Sequence, residues 1–184
     1  MEEEIKIKPK NEIERRIINS EEFNRAKTYG KVRSGHPEGS VGKHIQQMLE
    51  YIEEHYKDDI DYEKLRLLTL LHDIGKSEIR DKPHSESSAE IAKKFIDDKE
   101  LIEIIRIHDQ PYHFWRKTVK KKKPFDEIGF KKMFKWINWG LLVKFRYCDN
   151  CSRSQNPSIW FEEKCKELFD KSKKKHESFL LNNF

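Results

Sequence analysis

Cysteine is scarce in this sequence: among its 184 residues there are three, at positions 148, 151 and 165. An odd number of cysteines cannot pair completely within one chain, so we expect free thiols in a reducing cytoplasm. Cys148 and Cys151 form a lone CxxC motif. Because a four-ligand zinc site needs a second pair of ligands, this motif alone does not indicate a structural zinc.

Several signatures of other protein classes are missing. The sequence has no apolar stretch of membrane-spanning length, and its acidic start, Met1 to Glu4, does not resemble a signal peptide. It has no P-loop, no GxSxG motif and no dinucleotide-binding glycine pattern, which argues against kinases, serine hydrolases and Rossmann enzymes. It also has no internal repeats and no convincing alternation of apolar and polar residues, so we expect an all-α protein.

Charge, by contrast, is abundant. Charged residues make up 39% of the sequence and apolar residues 35%, with a formal net charge of +5. Much of the basic excess lies in two runs, Arg116 to Lys123 and Lys171 to Lys175. Such runs suit an anionic ligand, although a net charge of this size is also ordinary for a soluble protein.

The length of the chain predicts one domain with enough residues for a substantial core. Within it, we expect an N-terminal helical arm over residues 1–30 and a core over residues 31–155. A C-terminal helix with a basic tail is expected over residues 156–184.

The stretch from Leu65 to Lys76 begins as an apolar run and ends in a polar cluster. Leucines cover every side of the predicted helix, so we expect it to lie in the core, with Gly75 ending it in a left-handed conformation. His72 and Asp73 would then lie in the last turn of a buried helix. Burial of a carboxylate is unfavourable unless a cation compensates it, and the simplest compensation for adjacent His and Asp is a divalent metal.

Other segments place a histidine or an aspartate next to an apolar helical stripe. A histidine in such a position is usually structural, so the residues alone leave both a structural and a metal-binding interpretation open. His44 adjoins the stripe of Ile45, Met48, Leu49 and Ile52, His84 opens a predicted helix, His108 extends the stripe of Leu101, Ile104 and Ile105, and Asp149 extends that of Leu142 and Phe145.

The motif HDIGK at positions 72–76 resembles the signature of the HD-domain superfamily of metal-dependent phosphohydrolases. The resemblance covers roughly Gly35 to Asn150 and implies an HD-type helical bundle, whose ligand pattern is a His, a His-Asp pair and a distant Asp. The residues that match this pattern, and that the resemblance implies as ligands of one metal, are His44, His72, Asp73 and Asp149.

Some members of the superfamily carry two additional histidines between the central pair and the last aspartate, and these members bind two metals. His84 and His108 match that arrangement, in which Asp73 would bridge two ions. With a single metal, both histidines would instead be available as donors to a phosphate. The donor set of imidazoles and carboxylates suits Mn, Fe, Co, Ni or Zn and is less suited to Mg alone.

The segment from Gly30 to Gly42 has the composition of a loop, and Ser40 is placed to cap the helix that follows. Its His-Pro-Glu-Gly sequence resembles the HD domains of tRNA nucleotidyltransferases. We expect this segment either to line the mouth of the site or to form an ordinary surface loop. The candidates for substrate binding are Arg33, His36 and Arg146.

The segment from Pro111 to Lys123 combines three aromatic residues with a basic run. It could provide stacking and phosphate contacts for a nucleic acid, or it could be a solvated loop with its aromatic residues packed inward. Further along the chain, Ser158 is predicted to cap the last helix.

The resemblance implies a phosphomonoesterase or phosphodiesterase that acts on a nucleotide or on the phosphate at a nucleic-acid end. Asp73 is expected to bind metal and to orient the attacking water, and Lys76 to hold a phosphate oxygen. Alternatively, Lys76 complements the dipole at the end of its helix. The other possibilities are a di-iron HD-type oxygenase, a non-catalytic HD protein that binds nucleic acid, and a helical protein with structural histidines. No membrane partner is expected.

Overall fold

The computed structural model describes residues 5–33, 37–78 and 81–170, and these ranges form a helical bundle with no β-sheet among them. The all-α prediction is therefore confirmed. No helix in the described ranges is long and apolar enough to cross a membrane. In chain order the helices are α1 (Glu12–Ile18), α2 (Glu21–Lys27), α3 (Val41–His55), α4 (Tyr62–Leu71), α5 (His84–Ala92), α6 (Lys99–Ile107), α7 (Gln110–Trp115), a π-helical segment (Arg116–Lys120), α8 (Glu127–Phe134), α9 (Trp139–Asp149) and α10 (Asn156–Phe169).

Helix α4 lies at the centre of the bundle and packs against α1, α3, α5, α6 and α9. Four of its five leucines are completely buried and Leu67 is half-buried, which confirms the predicted core helix. Each fully buried leucine contributes about 1.5–3 kcal/mol relative to an exposed one. Because neighbouring helices hold α4 on every side, the residues that directly follow it, His72 and Asp73, have a fixed position.

Helix α3 begins where the sequence predicts. The side chain of Ser40 accepts a hydrogen bond from the backbone N–H of Lys43 at 3.3 Å, so it caps the helix. The predicted apolar stripe of α3 is buried over its whole length. This stripe and the apolar face of α9 both pack on α4, which brings the first turn of α3 close to the last turn of α9.

Gly75 has a different role from the predicted one. Helix α4 already ends at Leu71, and the left-handed glycines of the described ranges are Gly30 and Gly39, not Gly75. A Cβ atom on Gly75 would lie 2.5 Å from the backbone nitrogen of Ser88 and 2.7 Å from the Cβ of Ser87. Glycine is therefore needed here because the turn after α4 packs directly against α5.

We expect the Gly75→Ala variant to lose about 1–3 kcal/mol of unfolding free energy, because the added methyl group would push the turn away from α5. Gly140→Ala is the matched control, since the nearest atom to its added Cβ is a side-chain oxygen at 3.5 Å. Urea unfolding of both variants tests the difference. Equal stability of the two would show that the contact between the turn and α5 is not tight.

The segment from Pro111 to Lys123 is largely helical and is not a loop, although its aromatic residues do pack inward as one of the two interpretations expected. Pro111 lies in the first turn of α7, where its missing N–H carries no penalty, and the chain continues into the π-helical segment. Phe114 packs against Phe130 with ring centroids 5.3 Å apart, and Trp115 is only 9% exposed. These aromatic contacts, together with the packing of α7 on α10, hold the segment against the bundle.

The prediction that Ser158 caps the last helix is also wrong. Helix α10 begins at Asn156, with Pro157 in its first turn, and Ser158 is completely buried. The Ser158 hydroxyl donates to the carbonyl oxygen of Arg146 at 3.0 Å and accepts from the side-chain amide of Asn150 at 2.9 Å. It therefore ties α10 to the end of α9.

Candidate metal centre

A first cluster of possible metal ligands forms where α3, α4 and α9 meet. It contains His44 from the first turn of α3, His72 directly after α4 and Asp149, the last residue of α9. His44 Nε2 lies 2.9 Å and His72 Nε2 lies 3.8 Å from Asp149 Oδ1. All three side chains are buried. The packing of three helices thus brings together residues that are up to 105 positions apart in the sequence.

A second cluster adjoins the first and contains Asp73, His84 and His108. Asp73 Oδ1 lies 3.4 Å from His84 Nε2 and 3.8 Å from His108 Nε2. His84 opens α5 and His108 directly follows α6, as their sequence patterns predict. Asp73 and His108 are buried, whereas 30% of the His84 side chain is exposed.

Asp73 connects the two clusters. Its Oδ2 atom lies 3.2 Å from His72 Nε2 in the first cluster, while its Oδ1 atom faces the two histidines of the second. A carboxylate can place one oxygen on each of two neighbouring ions. The position of Asp73 therefore fits a bridging ligand.

Two histidine rings are oriented by the free carbonyl groups at the ends of their helices. His72 Nδ1 lies 3.0 Å from the carbonyl oxygen of Thr69, and His108 Nδ1 lies 2.7 Å from that of Ile105. A carbonyl oxygen can only accept, so each Nδ1 atom carries the proton and donates. The lone pair of each Nε2 atom is then directed at the clusters, as a metal ligand requires.

Several polar atoms of the clusters are buried without a hydrogen-bond partner among the described residues: His72 Nε2, Asp73 Oδ1 and His84 Nε2. Unpaired buried polar atoms of this kind are unfavourable and uncommon in native structures. All three are atoms that can bind a metal, and all three face other ligand atoms of the same kind. The residues present therefore fit divalent metal ions.

The electrostatics of the clusters agree with this chemistry. Burial opposes ionisation of Asp73, but the ammonium group of Lys76, 2.6 Å from Oδ2, helps to hold the pKa of this carboxyl well below the usual value. Burial also opposes ionisation of Asp149, whose pKa Arg146 and His44 hold well below the usual value. Both aspartates are therefore ionised at neutral pH, as metal ligands must be.

The family model of the HD domain matches residues 41–124 of the chain. Residues 41–124 therefore belong to an HD domain. The matched range includes every histidine and aspartate of the two clusters except Asp149. HD domains are typically metal-dependent hydrolases, and the clusters have the composition to hold divalent ions. Comparisons with curated proteins and with solved structures found no match.

A large cavity of about 1380 Å³ opens onto the two clusters of candidate metal ligands. Arg33, one of the predicted substrate-binding residues, is exposed and lines this cavity, while His36 lies outside the described residues. Residues of both the loop before α3 and the segment after α6 contribute to the cavity wall. They include Tyr29, Lys31, Tyr112, Trp115 and Lys120.

The other predicted site residues lie at the bottom of the cavity. Lys76 Nζ donates to Asp73 Oδ2 at 2.6 Å, and 24% of the Lys76 side chain is exposed. Arg146 forms an ion pair with Asp149 and donates to the carbonyl oxygen of His108 at 3.3 Å. Only 3% of the Arg146 side chain is exposed, so its guanidinium group mainly faces protein.

Three functional candidates beside the clusters were not predicted as site residues. Glu38 is buried and forms an ion pair with Arg153, whose Nη2 atom lies 3.5 Å from His44 Nδ1. Asp109 lies beside His84 and His108. No local pattern indicates Arg153, because it comes close only after the chain turns beyond α9. Asp109 did have a signal, since it forms a second His-Asp pair with His108.

Proposed function

We propose that this HD domain is a metal-dependent phosphohydrolase, a phosphomonoesterase or phosphodiesterase that acts on a nucleotide or on the phosphate at a nucleic-acid end. The observation that carries the proposal is the pair of His/Asp clusters that share Asp73 at the bottom of a large cavity. His44, His72 and Asp149 would hold one divalent ion, and His84 and His108 the other. The donor set favours Mn, Fe, Co, Ni or Zn.

Bound ions of this kind generate hydroxide from water near neutral pH and neutralise charge on a phosphoryl oxygen. Asp73 would hold the ions and orient the attacking water. Lys76 lies next to Asp73 and is partly exposed to the cavity, so its ammonium group is placed to bind a phosphate oxygen. Arg146 is largely buried against Asp149, which favours a role in positioning this ligand over direct substrate contact.

The cavity wall supports a nucleotide-containing substrate. Tyr112 is half-buried and provides an aromatic surface, and the buried Trp115 packs beside it with ring centroids 5.7 Å apart. Lys120 Nζ lies 5.1 Å from the centroid of the Trp115 ring, and Arg33 is exposed on the wall. Aromatic side chains can stack on the bases of a nucleotide, and cationic side chains can bind its phosphates.

The basic stretch from Arg116 to Lys123 would extend this surface along a polyanion. Lys120 lines the cavity, whereas Lys121, Lys122 and Lys123 are exposed. No predicted metal ligand lies within the stretch. We therefore assign it to substrate affinity and not to the chemical step.

The test is hydrolysis by the metal-loaded protein of a panel that contains mononucleotides, short oligonucleotides with terminal phosphates and phosphorylated sugars. Changing all four lysines at positions 120–123 to glutamine is expected to raise KM for the oligonucleotides by about tenfold. The variant's KM should also depend less on salt concentration, and kcat should be nearly unchanged. The matched control changes Lys131 and Lys132 on α8 and Lys135 directly after it to glutamine, because none of these lysines lines the cavity. A large loss of kcat at saturating substrate would contradict the assignment of the stretch, and hydrolysis of none of the panel would contradict the proposal.

A second candidate is an oxygenase that uses two iron ions. The shared carboxylate of Asp73 and the histidine-rich donor set favour it, because both also suit iron. Iron content and oxygen consumption distinguish this candidate from the hydrolase, since a hydrolase consumes no oxygen.

A further inference from the structure

Asp109 occupies the N-cap position of α7 without serving as a cap. An aspartate at this position usually accepts a hydrogen bond from a backbone N–H in the first turn of the helix. Asp98 and Asp126 do so at the starts of α6 and α8. The side chain of Asp109 makes no such bond within the described chain. The Asp109 carboxylate is therefore not bound to the backbone of α7 and points away from it.

The Asp109 carboxylate faces the second cluster. Its Oδ2 atom lies 3.2 Å from His84 Nε2, and its Oδ1 atom lies 3.5 Å from His108 Nε2. These are the same ring atoms that face Asp73 Oδ1. Two carboxylates thus lie close to the same pair of imidazole nitrogens.

These contacts are close, but they leave buried ring nitrogens and carboxylate oxygens without hydrogen bonds among the described residues. His84 Nε2 has carboxylate oxygens of Asp73 and Asp109 within 3.4 Å, yet it is buried without a hydrogen-bond partner among the described residues. Asp73 Oδ1 is likewise buried and unpartnered, on a side chain that is 2% exposed. In addition, His108 Nδ1 is already used as a donor to the Ile105 carbonyl, so its Nε2 atom has no proton to give in the neutral ring. A cation between these groups would satisfy all of them.

We propose that Asp109 is a ligand of the second metal ion, together with His84, His108 and the shared Asp73. The inference rests on the proposed function, in which this HD domain binds two ions. It gives each ion two imidazoles, one carboxylate of its own and the Asp73 bridge. Asp109 in the second cluster then corresponds to Asp149 in the first. The side chain of Asp109 is 34% exposed and lines the cavity, so the second ion would lie on the substrate side.

The test is titration of the chelator-stripped full chain with Mn²⁺, followed by isothermal calorimetry, for the wild type and the Asp109→Asn and Asp109→Ala variants. We expect two ions in the wild type. Both variants should bind the first ion with an affinity within about twofold of the wild type. They should bind the second ion at least roughly 10–100-fold more weakly, because removing a residue that merely hydrogen-bonds to a ligand already reduces metal affinity by that factor. Circular dichroism verifies that both variants are folded.

The Asp98→Ala variant is the matched control, because it removes an aspartate that does cap a helix. It should lower the melting temperature of the metal-free protein by roughly 2–4 °C and leave both ions in place. The Asp109 variants should instead lose the second ion and keep the melting temperature of the metal-free protein nearly unchanged. If the wild type and both Asp109 variants bind two ions with equal affinity, Asp109 is not a ligand. If the wild type itself never takes up a second ion, the two-metal proposal fails, and the role of Asp109 fails with it.

Discussion

The Asp73→Asn variant is expected to lose both of the proposed metal ions and nearly all of the proposed phosphohydrolase activity. One oxygen of Asp73 lies 3.2 Å from His72 Nε2 and the other lies 3.4 Å from His84 Nε2, so a single side chain serves both clusters. The loss of metal affinity should exceed the roughly 10–100-fold effect of removing a residue that hydrogen-bonds to a ligand. Asparagine has nearly the same shape, so the helices around the site should keep their packing. Elemental analysis after gel filtration and turnover of the substrate panel test this result.

Single histidine variants provide the comparison for Asp73→Asn. His44→Ala should lose the ion of the first cluster, and His84→Ala that of the second, because each histidine belongs to one cluster. His72→Ala should likewise disturb the first. Retention of two ions by Asp73→Asn, in a folded protein, would show that Asp73 does not bridge the clusters.

The Glu14→Ala variant is expected to lose about 3–5 kcal/mol of unfolding free energy, although it lies outside the metal centre. Glu14 in α1 accepts two hydrogen bonds from Arg66 in α4, at 2.7 and 2.8 Å, and 1% and 3% of the two side chains are exposed. Removing Glu14 leaves a buried guanidinium group whose remaining carboxylate partner is the half-buried Glu53. Denaturant unfolding at neutral pH measures the change.

The Glu12→Ala variant is the control for Glu14→Ala. Glu12 also lies in α1 and pairs with Arg15, but both side chains are more than half exposed, at 69% and 59%, so the loss should be about 0–1 kcal/mol. Combining Glu14→Leu with Arg66→Met should recover part of the lost stability, because no charge is then buried. A loss below 1 kcal/mol for Glu14→Ala would mean that α1 is not held to the bundle by this ion pair.

The helices of the core could be predicted from the sequence because their apolar residues repeat at helical spacing. The stripe of α3 and four of the five leucines of α4 are buried as expected, and Ser40 caps the helix that it precedes. In these cases local pattern and tertiary packing favour the same structure. Agreement of this kind makes an element predictable from one sequence.

The errors occurred where a tertiary contact outweighed a local rule. Gly75 follows a helix and was expected to end it, but its lack of a Cβ is needed by the backbone of α5. Ser158 precedes an apolar stripe and was expected to be a cap, but the helix begins earlier, at Asn156 with Pro157 in its first turn. The Ser158 hydroxyl binds the end of α9 instead. Neither contact has a signature in the nearby sequence.

The candidate site was predictable to a different degree for each residue. Six of the seven proposed ligands came from resemblance to a family pattern, and the fold brings these six into two adjoining clusters. Arg153 could not be predicted, since its contact with His44 spans 109 positions and depends on the turn after α9. Asp109 adjoins a candidate ligand, but its position before α7 matches a helix cap equally well.

Anomalous diffraction from a crystal of the wild-type chain soaked in Mn²⁺ is the most direct test of the two-metal centre. The account predicts two anomalous peaks, one among His44, His72 and Asp149 and the other among His84, His108 and Asp109, with Asp73 contacting both. A single peak at full occupancy, or peaks that lie away from these side chains, would contradict it.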